Sequence, residues 1–147
     1  MPGRYAAFPI DKGFFEVFSI ADPGSSADLS WVPPANMICL PLCLSAIITL
    51  AAGGVASVLS LEVHVPFSTI IWTNQHSQPM AVAGPTRVSA HLGGAAAVNL
   101  ALDEVTLPLP PVYLVNADRL RIVYDNKRAG DRITDFEVGA LVWRDTP

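Results

Sequence analysis

The chain has 147 residues, enough for one domain with a hydrophobic core and too few for two domains of ordinary size. The net charge is −4 and no Lys/Arg cluster extends beyond Lys127-Arg128, so the electrostatic signature of nucleic-acid binding is missing. Only 15% of the residues are charged and 51% are hydrophobic, an apolar balance that predicts a surface in contact with another chain.

Residues 1–35 are predicted to form an N-terminal arm, and residues 36–147 the main domain. Prolines interrupt this first segment, and no apolar stretch typical of a secretory signal follows its early arginine. Only residues 13–20 show a regular pattern, with apolar side chains on both faces of a strand that we expect to be covered on both sides. The arm could lie against its own sheet or reach a neighbouring subunit.

The stretch Met37–Leu61 contains no charged residue, and a run of this length is a candidate transmembrane helix. Pro41, the Gly53-Gly54 pair and many β-branched residues favour two strands instead, over residues 38–50 and 55–65, joined as a hairpin. A membrane anchor over residues 37–61 therefore stands as the alternative to a pair of buried strands.

The middle of the chain continues with short segments separated by turn signals. Residues 68–73 are predicted as a strand, residues 74–85 as a loop, and residues 86–92 as a strand with one polar face that ends at Gly93-Gly94. The pattern over residues 95–102 fits a helical turn as well as a strand and does not decide between them.

The closing stretch, residues 107–143, has the clearest pattern. Apolar residues alternate in Leu120-Ile122-Tyr124 and again in Phe136-Val138-Ala140-Val142, with a polar, glycine-containing turn over residues 126–131 between them. We expect these two runs to pair as an antiparallel hairpin. The whole chain is thus predicted to be all-β, a single-domain β-sandwich or jelly roll of about eight antiparallel strands with an extended N-terminal arm.

No residue pattern indicates catalysis. His64, His76 and His91 form no metal-ligand pair, and no serine lies in a nucleophile elbow. Cys39 and Cys43 are too far apart on a strand for a disulfide and lie in apolar surroundings, so they are interpreted as buried thiols. We therefore predict no enzyme activity, no catalytic residue, no cofactor and no metal.

Four aspartates in the closing stretch form the one candidate ion site. Asp118, Asp125, Asp131 and Asp135 could converge on a calcium ion, but they lack the spacing of a calcium-binding loop. Aspartates in turns usually accept hydrogen bonds from nearby backbone, which is the competing interpretation.

The last strand carries the main indication of a contact surface. One of its faces runs from Asp135 and Glu137 to Leu141 and Trp143, and so changes from polar to apolar along its length. Either another subunit or the arm of the same chain would explain this change.

The segment LPPVYLVNADRLRIVYDNKRAGDRITDFEVGALVWR contains a Leu-Pro entry, an NxD turn, a Gly-Asp turn and a last strand ending in tryptophan. In this order of features it resembles small jelly-roll virion proteins of tailed bacteriophages. Trp31-Val32-Pro33-Pro34, before a long apolar strand, is similar to the entry to their first sheet. The resemblance spans residues 31–143 and specifies a fold better than a role.

The resemblance implies a non-enzymatic capsid decoration or cement protein that assembles in the host cytoplasm and lies on the outer capsid surface of the virion. Its partners would be itself, as a homotrimer, and the major capsid protein, without nucleic acid or membrane. The expected contact residues are Phe14, Phe15, Phe18, Trp31, Leu141 and Trp143. A minor head or tail component, a membrane-anchored protein and a sugar-binding or cupin-like enzyme domain are the alternatives.

Overall fold

The computed structural model describes residues 13–51, 57–66, 69–75, 84–95, 97–99 and 103–144. These residues form ten β-strands in two sheets. The strands are β1 (Phe14–Ile20), β2 (Leu29–Trp31), β3 (Met37–Leu50), β4 (Leu59–Val65), β5 (Thr69–Gln75), β6 (Gly84–Leu92), β7 (Ala97–Asn99), β8 (Glu104–Leu109), β9 (Arg119–Tyr124) and β10 (Arg132–Arg144).

The two sheets enclose one core, which confirms the predicted all-β sandwich. One sheet has six strands in the order β1-β10-β3-β6-β8-β7, and the other has four in the order β2-β9-β4-β5. Neighbouring strands are antiparallel except for β6 and β8, which are parallel. The expectation of about eight antiparallel strands therefore missed this parallel pair and the short strand β7, which shows that residues 97–99 of the undecided segment form a strand.

Strand pairing is nested along the chain. β1 pairs with β10, β2 with β9, β3 with β6, and β4 with β5, while β7 and β8 extend the larger sheet. The two predicted hairpins are therefore wrong, because β9 and β10, like β3 and β4, lie in opposite sheets. A turn signal in the sequence does not say whether the next strand joins the same sheet.

Two bulges in the central β3–β10 pair keep apolar residues pointing inward. The first places two β10 residues, Asp135 and Phe136, opposite one residue of β3, with Asp135 in the left-handed region (φ 51°). The second inserts Leu42 into β3. Each bulge shifts the side-chain alternation by one, so that Ile133 and Phe136 both lie in the core despite their odd spacing.

The predicted arm contributes strands to both sheets. β1 forms one edge of the larger sheet on β10 of the same chain, and β2 forms one edge of the smaller sheet. The linker between them is fixed to the loop before β10, since the Ser26 N–H donates to the Asp131 carbonyl (2.9 Å) and the Gly130 N–H donates to Ser25 Oγ (2.9 Å). Residues 1–12 lie outside the described residues.

The long uncharged run supplies core strands. Met37–Leu50 is β3, the centre of the larger sheet, and the run ends within β4, whose Leu59 and Leu61 are fully buried. In the described part of the chain, no helix is long and apolar enough to cross a membrane.

The turn aspartates are used as backbone acceptors. Asp131, only 2% exposed, accepts hydrogen bonds from the N–H groups of Ala51 and Arg128, both at 2.7 Å. Asp118, likewise buried, accepts from the Val115 N–H (2.9 Å), and Asp125 from the Val58 N–H (2.6 Å). The bonds to Val115 and Arg128 are local, in agreement with the competing interpretation of the aspartates, while the bonds to Ala51 and Val58 join loops from separate parts of the chain.

We expect Asp131→Ala to lower the free energy of unfolding by about 2–3 kcal/mol, because two part-buried N–H groups lose a charged acceptor. The matched control is Asp125→Ala, which removes one bond at an exposed site and should lower it by about 1 kcal/mol. Urea denaturation of the three proteins measures both values. Equal losses at the two positions would contradict the anchoring role of Asp131.

Candidate interaction surface

The outward face of the six-stranded sheet is polar at one end and apolar at the other, as the pattern in β10 predicts. At the polar end, Arg87, Asp135 and Glu137 line an open cleft of about 590 Å³. Along β10 the exposed Glu137 is followed by the buried Gly139 and the half-buried Leu141 and Trp143. The change from polar to apolar occurs within a few residues on one strand.

The apolar end extends over three neighbouring strands. In register, Phe15 of β1 lies opposite Leu141 of β10, which in turn lies opposite Leu40 of β3. We call this surface the apolar patch; it consists of Phe15, Val17, Ile38, Leu40, Cys43, Tyr113, Leu141 and Trp143. Phe15 is 56% exposed and Val17 51%, which is high for apolar side chains on a strand. None of its members is an Asp, Glu, Lys, Arg or His.

Two glycines provide space for the aromatic rings of the patch. A Cβ on Gly139 would lie 2.8 Å from Phe15 Cζ and 2.6 Å from Cys43 Sγ, so the ring and the thiol cover the glycine. At Gly13, which has φ of +66°, a Cβ would lie 2.7 Å from the Trp143 ring. The Trp143 ring also packs against Tyr113 at 5.6 Å between centroids. The shape of the patch is therefore set by backbone positions as well as by its side chains.

The six predicted contact residues do not share one surface. Phe15, Leu141 and Trp143 come together in the apolar patch. Phe14 lies on the opposite face of β1, where its ring is 42% exposed and Arg144 stacks over it at 5.6 Å.

Phe18 and Trp31 pack against each other between the two sheets, at 5.3 Å between ring centroids. Trp31 is only 4% exposed and belongs to the core, so its assignment as a contact residue is corrected. Alternation in the short segment Leu29–Trp31 points both of its apolar residues inward, against the inner face of β1.

The patch residues that sequence analysis missed are Val17, Ile38, Leu40, Cys43 and Tyr113. The first four reach Leu141 and Trp143 through the β1–β10–β3 register. Tyr113 reaches Trp143 because the backbone of the next residue, Leu114, is hydrogen-bonded to Cys39 of β3. Cys43 was interpreted as a buried thiol, but the bulge at Leu42 turns it outward. The pattern of β1, with apolar residues on both faces, was the one signal for Val17.

The opposite outer face, on the four-stranded sheet, is charged. Asp28 accepts from Lys127 Nζ (2.8 Å) and Arg121 (3.3 Å), which links the start of β2 to β9. His64 lies 2.6 Å from Glu62 through its Nε2 and is 6% exposed. Both outer faces therefore combine charged and apolar regions: the six-stranded sheet also carries the Arg87–Glu104 pair (3.8 Å) near its polar end, and β5 of the four-stranded sheet exposes Ile70 and Ile71.

The histidines form no cluster in the described residues. His91 is exposed on the outward face of β6, and His76 lies outside the residues that the structure describes. Among the described side chains, no group of three or more His, Cys, Asp or Glu could hold a metal ion.

The two cysteines differ in environment. Cys39 is fully buried in the core, and this burial, together with the nearby charge of Glu16, raises its pKa to about 12. Cys43 is exposed within the apolar patch. The accessibility of the Cys43 thiol can therefore be used to report on the apolar patch.

Comparison of the chain with protein-family models, with curated proteins and with solved structures gives no match.

We expect Gly139→Ala to lower the free energy of unfolding by about 1–3 kcal/mol, since the new methyl group displaces the Phe15 ring and the Cys43 thiol. In a Phe15→Ala background the same change should cost less, because one of the two clashes is gone. Urea denaturation of the two single variants and the double variant measures the coupling. Strictly additive losses would show that Phe15 does not cover Gly139.

The two thiols, Cys39 and Cys43, should differ in their reactivity toward an alkylating reagent. At pH 8 a group with a pKa of about 12 is ionised in roughly one molecule in 10⁴, and Cys39 is also shielded from reagent. Dilute native protein is expected to take up one alkyl group, at Cys43, and unfolded protein two. Mass spectrometry after treatment with iodoacetamide distinguishes the cases, and rapid labelling of both thiols in native protein would contradict this placement.

Proposed function

We propose that the chain is a non-enzymatic structural protein of a tailed-phage virion, a capsid decoration or cement protein. In this proposal it binds the outer surface of the assembled head as a homotrimer, with the major capsid protein as its partner. The observation that carries the proposal is the apolar patch, an uncharged surface on an otherwise ordinary β-sandwich. Patches of this kind mark contact sites between proteins.

The strand pairing supports the jelly-roll part of the proposal. A jelly roll has eight strands in which the first pairs with the last, the second with the seventh, the third with the sixth and the fourth with the fifth. When β7 and β8 are set aside as an extension, the pairs β1–β10, β2–β9, β3–β6 and β4–β5 follow this rule. Viral capsid domains are among the proteins with this fold, as are lectins and cupins.

Side-chain chemistry favours the virion role over the sugar-binding or cupin-like alternatives. Among the lining residues described for the polar cleft near Arg87, the one aromatic side chain is Phe136, which is only 1% exposed and so offers no platform for a sugar ring. The aromatic side chains on that sheet face lie at the other end, in a broad surface suited to another protein. Phe15, Tyr113 and Trp143 are residue types enriched in protein–protein interfaces.

The proposed mechanism is stabilisation by mass action. A subunit that binds the assembled lattice and not its separated components shifts the equilibrium toward the lattice. Three copies joined as a trimer would each contribute a contact, so that modest individual affinities combine into tight attachment. This role requires a rigid fold with contact surfaces and no moving parts.

The test is co-sedimentation with purified capsids of the phage that encodes the chain, prepared without decoration protein. The protein is expected to pellet with assembled capsids, to remain in the supernatant with unassembled capsid protein, and to raise the temperature at which the capsids disrupt. Bound copies should approach the number of capsid proteins. Absence of binding would refute the virion role, and a few copies per particle would show a minor head or tail component instead.

A further inference from the structure

The six-stranded sheet ends at β1, whose outer edge is free among the described strands. β1 pairs with β10 over seven consecutive residues, Phe14 to Ile20, without a register shift, and it contains neither proline nor glycine. On the side away from β10, its backbone N–H and C=O groups have no strand partner in the described part of the chain. A continuous edge of this kind can add a strand from another molecule.

The other three sheet edges are protected by their shape. β2 and β7 have only three residues each, which is too short for a stable ladder. β5 has seven residues and exposes Ile70 and Ile71, but a bulge at Ile71 interrupts its pairing with β4. Bulges bend and twist an edge and so hinder the addition of a further strand. Of the four edges described, β1 is the one that neither length nor a bulge protects.

The one charged residue of β1, Glu16, faces the interior of the sandwich. By alternation it shares a face with Phe18, whose ring packs against Trp31 of the other sheet. Its Oε2 is buried and has no hydrogen-bond partner among the described residues. The charge also reaches the core, where it contributes to the raised pKa of Cys39. As a whole the side chain is half-buried, because the sandwich is open at the β1 edge.

We propose that Glu16 prevents the β1 edge from pairing with the β1 edge of a second copy. A two-fold antiparallel pair of these strands would join two six-stranded sheets into one, with both inner faces on the same side. The two Glu16 carboxylates would then lie in a closed interior, near each other and without partners. Burial of an unpaired charge is strongly unfavourable, and the like charges repel.

Inward-pointing charges are one of the ways in which natural sheets protect an edge strand. On this chain the charge excludes one surface from assembly between copies and leaves the faces of the sandwich available. The role of Glu16 would hold whether or not the chain belongs to a virion, since it concerns only contacts of the chain with itself.

A pair of matched substitutions tests the role of the charge. Glu16→Val removes it and introduces a residue that favours strands. We expect this variant to self-associate at least about tenfold more tightly than the wild type, in species that join two wild-type units through β1. Glu137→Val removes the same charge from an exposed, outward position on the neighbouring strand β10 and should associate as the wild type does. Sedimentation velocity over a concentration series measures all three proteins.

A third variant separates the charge from the shape of the side chain. Glu16→Lys keeps an inward charge on β1 and should associate no more than the wild type. Amide hydrogen exchange then locates the contact. With rising concentration, the β1 amides should exchange more slowly in Glu16→Val, but not in the wild type or in Glu16→Lys.

Unfolding by urea distinguishes edge protection from a role in stabilising the fold. Because the Glu16 Oε2 has no partner in the described residues, Glu16→Val should be at least as stable as the wild type at concentrations where it is monomeric. Four outcomes would overturn the proposal: association of Glu16→Val equal to that of the wild type, an equal gain in Glu137→Val, an equal gain in Glu16→Lys, or aggregation of a destabilised Glu16→Val without protection of the β1 amides.

Discussion

The pairing of β3 with β10 is the constraint on which the rest of the structure depends. These are the two longest strands, and the other strands of the larger sheet add on either side of them. Their two bulges lie on opposite strands, so the extra residue in β10 is compensated by the extra residue in β3. Between the bulges the alternation of side chains is shifted by one residue. This shift keeps Leu44 and Val138 in the core while it turns Cys43 toward the outer surface.

The same pairing builds the apolar patch. Gly139 lies on β10, with β1 on one side and β3 on the other. Because it has no side chain, Phe15 of β1 and Cys43 of β3 can both lie close over it. A larger residue there would lift the ring away from the sheet. The patch is thus a consequence of backbone register as much as of hydrophobic composition, and its members are preorganised by contacts within the chain. Preorganisation lowers the entropy lost when such a surface binds a partner.

Much of the fold was predictable because period-two alternation is a local property. It gave most strands and their inward residues, including Leu120, Ile122 and Phe136. Which strands pair was not predictable, since β9 and β10 are adjacent in sequence yet belong to different sheets. Nor did alternation reveal the bulges, which reverse the expected orientation of Cys43. Leu141 and Trp143 were identified because the polarity changes along one strand, whereas Tyr113 reaches the patch only through tertiary structure.

The linker between β1 and β2 bears on how copies can meet. For β1 to exchange between copies, its whole ladder with β10, from Phe14 to Ile20, would first have to open before it re-forms on the other copy. Exchange would also strain the anchored linker, where Ser26 bonds to the Asp131 and Arg128 carbonyls and Gly130 to Ser25. Asp131 itself is held through its carboxylate by Ala51 and Arg128. With the first strand fixed to the last in this way, strand exchange requires all of these bonds to open first, whereas side-chain packing on an exposed face leaves them intact.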